Sequence, residues 1–148
     1  MSGALAIFVC MDRPVLSVVI AAFLAAASFP TAAAEPEQIP LIGSEGPELD
    51  ACIGVGTITT IDEHLAVRER PDEYARQKDK LIPKTLVWIC EKGTTESGEE
   101  WQGIVYPTGD NQDLGDCRVS RPIAAPEPYA GPCRYGWVSA RNLRLVLG

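Results

Sequence analysis

The chain has 148 residues, a formal net charge of −7 at pH 7 and no run of lysines and arginines. Because an acidic chain without a basic run cannot neutralise phosphates, nucleic acids and anionic membrane surfaces are poor candidate partners. The length allows one small domain after an N-terminal targeting segment, and it excludes a two-domain architecture.

The N-terminal residues predict an export signal. Residues 15–29 are almost wholly apolar, and the small residues 31–34 follow them, which is typical of a signal-peptide core and its cleavage site. The apolar run is shorter than the roughly 18 residues expected of a membrane-spanning helix, and an uncleaved membrane anchor is the alternative. We predict a signal peptide over residues 1–34, no further membrane association, and a periplasmic or secreted protein.

Four cysteines follow the predicted cleavage site: Cys52, Cys90, Cys117 and Cys133. An even number of cysteines in a small exported domain predicts two disulfides, for which three connectivities exist. We favour Cys117–Cys133 because it closes one local loop, and Cys52–Cys90 would then tie the first strand to a later one. Zinc is the competing interpretation, but the sequence has no C-x-x-C spacing.

The remaining chain predicts short β-strands behind a polar leader. Residues 35–50 are rich in Pro, Gly and Glu and predict a flexible leader. The segments that follow have the composition and spacing of strands in an all-β sandwich or small barrel. They are Ala51–Ile61, Leu65–Arg70, Thr85–Cys90, Glu99–Tyr106 and Tyr135–Leu147. No segment has a convincing helical pattern, apart from a single helical turn predicted at residues 139–142.

Several of these segments together resemble the bacterial SH3-like domain. The matching segments are LAVRERP at residues 65–71, LIPKTLVWICE at 81–91, EEWQGIV at 99–105 and GWVSARNL at 136–143. Two positions depart from the family pattern, since Ala66 replaces the usual Asn and Pro83-Lys84-Thr85 replaces Lys-Gly-Thr. The resemblance implies a small, partly open β-barrel over residues 51–148, and a non-catalytic module that binds the cell wall or a protein.

A long insertion interrupts that pattern before its closing strand. Residues 107–135 stand where an SH3-like barrel turns almost directly into its G-W-V strand. Because a Cys117–Cys133 bridge would clamp the segment and its prolines stiffen it, we predict an ordered Ω-like loop. The loop would present a partly basic, tyrosine-bearing surface, or it would be a lid over the open end of the barrel. Its candidate surface residues are Arg118, Arg121, Tyr129 and Arg134.

Aromatic side chains are the first candidates for ligand binding. Trp101 and Trp137 are either packing residues or an exposed platform for a glycan or a peptide. Tyr74, Tyr129 and Arg121 complete the predicted set of ligand-binding residues. The partners that we expect are cell-wall glycan or peptide, or a periplasmic protein.

The sequence offers little support for catalysis or metal binding. The only histidine, His64, lies beside a strand start, and an even cysteine count leaves no free thiol for it to activate. Adjacent acids such as Asp62 and Glu63 point to opposite faces of a strand, so they do not converge like a glycosidase pair. Residues 110–116 resemble an oxygen-rich cation loop, but glycine and glutamate do not stand at their EF-hand positions, which leaves calcium a weak option.

The sequence therefore predicts no catalytic residue, no metal and no cofactor. The leading hypothesis is an exported, non-catalytic SH3-like module that recognises a cell-envelope component, either peptidoglycan or a periplasmic protein. The alternative is a structural or inhibitory protein that engages its partner through the Cys117–Cys133 loop.

Overall fold

Residues 33–109 and 113–148 are described in this computed structural model, and within them nine β-strands and one 3-10 turn occur. The predicted signal peptide lies outside the described residues, apart from its last two positions. Within those two ranges, no helix has the length and the apolar character needed to cross a membrane.

Seven of the nine strands form one antiparallel sheet. In chain order the strands are β1 (Leu41–Ile42), β2 (Gly54–Ile58), β3 (Leu65–Arg68), β4 (Gln77–Leu81), β5 (Leu86–Thr94), β6 (Glu100–Tyr106), β7 (Glu127–Pro128), β8 (Arg134–Ser139) and β9 (Leu143–Leu147). The large sheet has the order β4-β3-β8-β6-β5-β2-β9, and β1 pairs with β7 separately. No pairing among the described residues joins the edge strands β4 and β9, so the sheet is not closed into a barrel. The predicted all-β, partly open fold is confirmed.

The central strands β5 and β6 are covered on both faces. In β6, Ile104 and Tyr106 pack in an inner cluster, whereas Val105 between them packs in an outer cluster. Successive side chains of a strand point to opposite faces, so an uninterrupted apolar run requires a cover on each face. The inner cluster consists of Ile58, Leu65, Val67, Leu81, Val87, Ile104, Tyr106 and Val138. The outer cluster consists of Ile42, Ala51, Cys52, Cys90, Val105, Cys117, Val119 and Tyr129.

The cover of the outer face comes from two segments that are not part of the large sheet. The chain before β2 and the inserted loop are joined by β1–β7 pairing and by further backbone hydrogen bonds. The Ala51 N–H donates to the Arg121 carbonyl at 3.0 Å, and the Cys52 N–H donates to the Val119 carbonyl at 3.3 Å. The described part of the inserted loop after residue 112 is thus an ordered second layer on the sheet, and it does not cap an open barrel end.

Two disulfides fasten this second layer. Cys52–Cys90 ties the chain before β2 to β5, and Cys117–Cys133 closes the inserted loop with a Cα–Cα distance of 5.4 Å. Both pairs are the ones favoured from the sequence, and that expectation is confirmed. The bridges indicate that the chain folds in an oxidising environment.

The leader differs from the flexible segment that we expected over residues 35–50. Pro40 and Ile42 are buried, and the Gly43 N–H donates to the Ala51 carbonyl at 2.6 Å. Backbone hydrogen bonds and two apolar side chains hold the segment in place. Such contacts leave no hydrophobic period in the sequence, so the pattern of residues did not predict that the segment is ordered. The leader is therefore part of the second layer.

Gly136 is required where β8 meets β3. A Cβ atom at this position would lie 2.4 Å from Val67 Cγ1 and 2.9 Å from the Arg68 carbonyl oxygen. Only glycine allows this approach. After β8, the 3-10 turn Ala140–Asn142 occupies the place of the predicted helical turn and leads into β9.

Replacing Val119 tests whether the inserted loop is a packed layer. Val119 is fully buried in the outer cluster, so Val119→Ala should lower the free energy of unfolding by about 1–3 kcal/mol through lost burial and a cavity. Val146→Ala, at a position 43% exposed on β9, is the matched control and should change it by less than about 0.5 kcal/mol. Urea unfolding measures both, and equal small effects would contradict the packed layer.

Candidate functional site

Tyr129 holds the inserted loop together from inside. Its side chain is only 3% exposed, and its hydroxyl donates to the Cys117 carbonyl at 3.0 Å and accepts the Cys133 N–H at 2.9 Å. Burial is the main cause that raises the pKa of this phenol. Its ring packs edge-on against Tyr135, with ring centroids 6.0 Å apart. The tyrosine that we predicted on the loop surface is thus an internal support, because its hydroxyl bridges both ends of the clamp.

The arginines of the inserted loop are exposed. Arg118 and Arg121 both face solvent, and Arg118 has a positive φ of 62°. The Arg118 N–H donates to the Asp116 side chain at 2.9 Å, which stabilises this unusual backbone conformation. The structure therefore places Arg121 on the surface, and within the described ranges its side chain forms no hydrogen bond with Tyr74, Trp101 or Trp137.

The two predicted tryptophans lie in the interior. Trp137 is fully buried on the outer face of the sheet, and its Nε1–H donates to the Gln38 carbonyl at 2.7 Å. Gly93 leaves room for the indole, since a Cβ there would lie 2.7 Å from Trp137 Cζ3. Trp101 is 4% exposed, and its Nε1 has no partner among the described residues. Both rings are packing residues in this structure rather than an exposed platform, since both are buried and the leader covers Trp137.

Tyr74 is the one predicted aromatic that projects into solvent, with 86% of its side chain exposed. The Asp72 side chain accepts the Tyr74 N–H at 2.8 Å, and the Asp72 carbonyl accepts the Ala75 N–H at 3.1 Å. Ala75 is buried and anchors the turn. This short capped turn therefore presents the phenol outward on a defined backbone.

An open groove with a volume of about 520 Å³ lies between this turn and the hairpin that joins β5 to β6. The hairpin is closed by the Thr95 N–H donating to the Glu99 carbonyl and by the Gly98 N–H donating to the Thr95 carbonyl, both at 2.9 Å. Its hydroxyl side chains, Thr95 and Ser97, form one wall, and the turn at Tyr74 forms the other. The groove can accommodate a short peptide or a sugar.

The groove carries a net negative charge. Arg70 is the single cation among the described residues that line it. Its guanidinium lies 3.0 Å from the Glu35 carboxylate and 3.2 Å from that of Asp72, so its charge is compensated. Glu73 and Glu96 line the groove, are exposed and form no ion pair among the described residues. The Glu73 carboxylate, through a hydrogen bond and its charge, raises the pKa of Tyr74. A ligand with amino groups would match this charge.

A second concavity, of about 400 Å³, lies where β4, β6 and β8 meet. Asp79 is its centre, accepting the Tyr106 hydroxyl at 3.1 Å and the Arg134 guanidinium at 2.9 Å. Next to it, the Lys78 ammonium lies 3.7 Å from the centre of the Tyr135 ring. The aromatic face stabilises this cation, so the concavity combines fixed charges with ring surfaces.

Asp79 and Tyr106 influence each other's protonation. Burial favours a higher pKa for Asp79, but the Lys80 N–H, Arg134 and Tyr106 donors outweigh it, and the pKa lies below its ordinary value. Burial, and after it the Asp79 carboxylate, raises the pKa of Tyr106 well above the usual range. At neutral pH the pair is therefore a carboxylate that accepts a hydrogen bond from a neutral phenol.

Sequence reasoning missed this second concavity. Asp79 and Lys78 lie in a polar segment, residues 71–80, that could equally have been a loop or a helical turn. The alternation of charged residues before Leu81 was the one available signal of a strand. The partners of Asp79 come from strands distant in the sequence, and only the folded sheet brings them together.

His64 and the cysteines do not form a catalytic arrangement in the described part of the chain. His64 Nδ1 lies 4.0 Å from the exposed Glu63 carboxylate, and all four cysteines of the domain are in disulfides. Within residues 33–109 and 113–148, no group of three or more His, Cys, Asp or Glu side chains could hold a metal ion.

No family model matches the chain, and neither a curated protein nor a solved structure matches it. The function has to be inferred from the residues and their geometry.

Replacing Tyr129 tests its place inside the loop. Tyr129→Phe removes the hydroxyl that serves both cysteine backbones, so we expect the free energy of unfolding to fall by about 1–3 kcal/mol. Tyr74→Phe makes the same chemical change at an exposed position and should have no measurable effect. Thermal unfolding of both variants provides the comparison, and a neutral Tyr129→Phe would refute the internal role.

Asp79→Asn should reveal the lowered pKa as a change in the pH dependence of stability. A carboxyl whose pKa is lower in the folded state stabilises the protein above its unfolded pKa, and this stabilisation is lost as the pH falls. The variant should therefore be less stable than the parent at pH 7, and the difference should shrink below about pH 4. Asp62→Asn, at an exposed carboxylate without an ion pair in the described ranges, should show no such difference. A pH-independent difference for Asp79→Asn would contradict the assignment.

Proposed function

We propose that this protein is an exported, non-catalytic binding module that recognises a peptide-containing component of the cell envelope, either peptidoglycan or a periplasmic protein. The observation that supports this function best is the open groove at Tyr74, where an exposed aromatic ring stands over an acidic concavity. The compartment is the periplasm or the extracellular space. Two disulfides and the signal-peptide pattern of residues 1–34 support this location.

The resemblance of four segments to the bacterial SH3-like domain supports the same proposal. GWVSARNL at residues 136–143 forms the end of β8, the 3-10 turn and the start of β9, and LAVRERP at 65–71 contains β3. Both segments therefore serve as sheet elements, which the resemblance implies. A binding role also suits a fold whose functional surface lies on loops held by a rigid sheet.

The groove suits a ligand that carries both an amino group and an apolar or sugar surface. Glu73 and Glu96 supply carboxylates for an ammonium group, and the hydroxyls of Thr95 and Ser97 supply hydrogen-bonding partners. The Tyr74 ring supplies a flat contact surface with a polar end. Exposed charges contribute little affinity individually, so binding to a single such unit is weak, and repeated units along a polymer would strengthen it.

A second candidate function is engagement of a partner protein through the Cys117–Cys133 loop. Arg118 supports it, because an exposed arginine with positive φ beside a disulfide is a strained residue held in place by its surroundings. In this case the loop would enter a site on the partner, and the groove at Tyr74 would not take part.

Pelleting with purified cell-wall sacculi tests the leading function. We expect the protein to sediment with sacculi, and Tyr74→Ala to weaken this association about tenfold, which corresponds to about 1.4 kcal/mol. Ile61→Ala, at a fully exposed apolar side chain that does not line the groove, is the matched control and should sediment like the parent. Added salt should weaken the association, because it screens the carboxylates from amino groups.

Cross-linking to periplasmic proteins is the companion experiment. Capture of a specific protein that depends on Tyr74 supports the periplasmic-protein form of the proposal. Capture that depends on Arg118 and is indifferent to Tyr74→Ala supports the second candidate function. If Tyr74→Ala changes neither the sedimentation with sacculi nor the capture of a protein, a ligand site in the groove is contradicted.

A further inference from the structure

The leader crosses the outer face of the sheet like a bound peptide. Its contacts involve neighbouring strands in succession, from the β3–β4 side of the sheet to β5. The Gln38 N–H donates to the Glu69 carbonyl at 2.9 Å, and the Gln38 carbonyl accepts the Trp137 Nε1–H at 2.7 Å. Further along, the Leu41 N–H donates to the Glu91 carboxylate at 2.6 Å. Both backbone groups of Gln38, the N–H and the carbonyl, are thus hydrogen-bonded to residues of the sheet side.

The side chains of the leader add charge complementarity. Glu35 pairs with Arg70 at 3.0 Å, and Glu37 pairs with Lys78. The Glu37 carboxylate also acts on the Tyr135 hydroxyl, where burial and then this carboxylate raise the phenol's pKa. Two carboxylates spaced two residues apart therefore meet two cations, on a chain whose overall charge is −7. The surface under the leader is thus locally basic, although the protein as a whole is acidic.

The leader consists of two parts that are held differently. Pro40 and Ile42 are buried, with Pro40 against Gly103, where a Cβ would lie 2.8 Å from the Pro40 Cβ. Residues 35–39, in contrast, are all exposed, and hydrogen bonds and ion pairs hold them. Partly exposed polar contacts stabilise weakly, so these five residues can open locally while Pro40 stays anchored.

Opening of residues 35–39 would leave a prepared set of binding groups. The Trp137 Nε1–H and the Glu69 carbonyl would lose their partners. Lys78 would lose the Glu37 carboxylate, and Arg70 would lose that of Glu35 while it keeps its pair with Asp72. Leaving the part-buried Trp137 indole N–H without an acceptor raises the free energy of the opened form. A ligand that restores these contacts is therefore favoured over the opened form without a ligand. The ligand with that chemistry is an extended peptide with two acidic side chains two residues apart.

We propose that the face bearing Trp137, Arg70 and Lys78 is a second binding groove, for an extended acidic peptide of an envelope partner protein. Residues 35–39 cover this groove and are displaced by the partner. The ligand carries an acid-x-acid pattern, as Glu35-Pro36-Glu37 does in the cover. This groove adjoins the one at Tyr74, since Glu35, Gln38 and Arg70 line both. It differs from that groove in the charge of its ligand and in its contacts with Trp137 and Lys78.

Hydrogen exchange tests whether the cover opens. The Trp137 indole N–H should exchange at least a hundredfold faster than the backbone amide of Ile104, which lies in the fully buried central strand β6. The measurement uses the intact exported protein in ¹⁵N-resolved NMR spectra. Equal rates for the two groups would mean that the cover opens only with global unfolding, which would overturn the proposal.

Peptide titration tests the groove itself. The probe is the acetylated peptide AEPEQI, which has the sequence of residues 34–39, and the Trp137 indole signal is followed. The double variant Glu35→Gln, Glu37→Gln weakens the cover and leaves the groove intact. It should bind the probe at least fivefold more tightly than the parent, because less of the groove is occupied in cis. The neutral probe AQPQQI is the control and should bind neither protein.

The groove side is tested by Lys78→Gln in the background of that double variant. This further substitution should abolish the gain in affinity for AEPEQI that the double variant shows over the parent. The thermal unfolding temperature should stay within a few degrees of that of the double variant. Equal affinity of the parent and of the Glu35→Gln, Glu37→Gln variant for AEPEQI would overturn the proposal. Equal affinity for AEPEQI and for AQPQQI would overturn it as well. Formation of a dimer that exchanges residues 35–39 between copies would also overturn it, since a second copy would then be the occupant.

Discussion

Coverage of the outer face of β5, β6 and β8 is the constraint on which the rest of the structure depends. Val105 and Cys90 point to this face from the central strands, opposite the inner cluster that contains Ile104 and Val87. A sheet that is apolar on both sides is stable in water only when both of its faces are covered. The leader and the inserted loop supply the cover of the outer face, which is the second layer, and so neither of these segments is optional.

This second layer contains little regular secondary structure, which explains why it needs covalent and polar support. Its two-residue strands β1 and β7 are too short to be stable alone. Two disulfides and the Tyr129 hydroxyl fasten it instead, and all three converge on the outer cluster. A small domain gains a large part of its stability from such links, because its core is limited by its size.

The same constraint shapes the surface that is left for binding. Trp137 packs under the leader and Trp101 is buried, so Tyr74 is the one exposed side chain among the aromatic residues predicted to bind a ligand. The concave surfaces are consequently lined by charges and phenols, as in the network of Asp79, Tyr106 and Arg134. The polar half of the leader lies between the two concavities, where it contacts Arg70 on one side and Lys78 on the other.

The amino-acid sequence predicted the all-β class and most strands of the large sheet, and it favoured the two disulfide pairs among three possible connectivities. It did not predict β1, β4 or β7. The apolar positions Leu65 and Val67 indicated β3, and the loop closed by Cys117 and Cys133 indicated their pairing. These features are local, or they follow from a small number of possible partners, so residue type and spacing suffice to predict them.

The burial of the aromatic residues and the pairing of the charged side chains follow from the tertiary structure and not from local sequence patterns. Trp137 is covered because the leader folds back over it, and Asp79 meets Arg134 across a separation of 55 residues. The continuous apolar run GIVY is compatible with two covered faces, but its residues do not reveal which segments cover them. Such contacts depend on the order of strands in the sheet, which no local pattern in the sequence encodes.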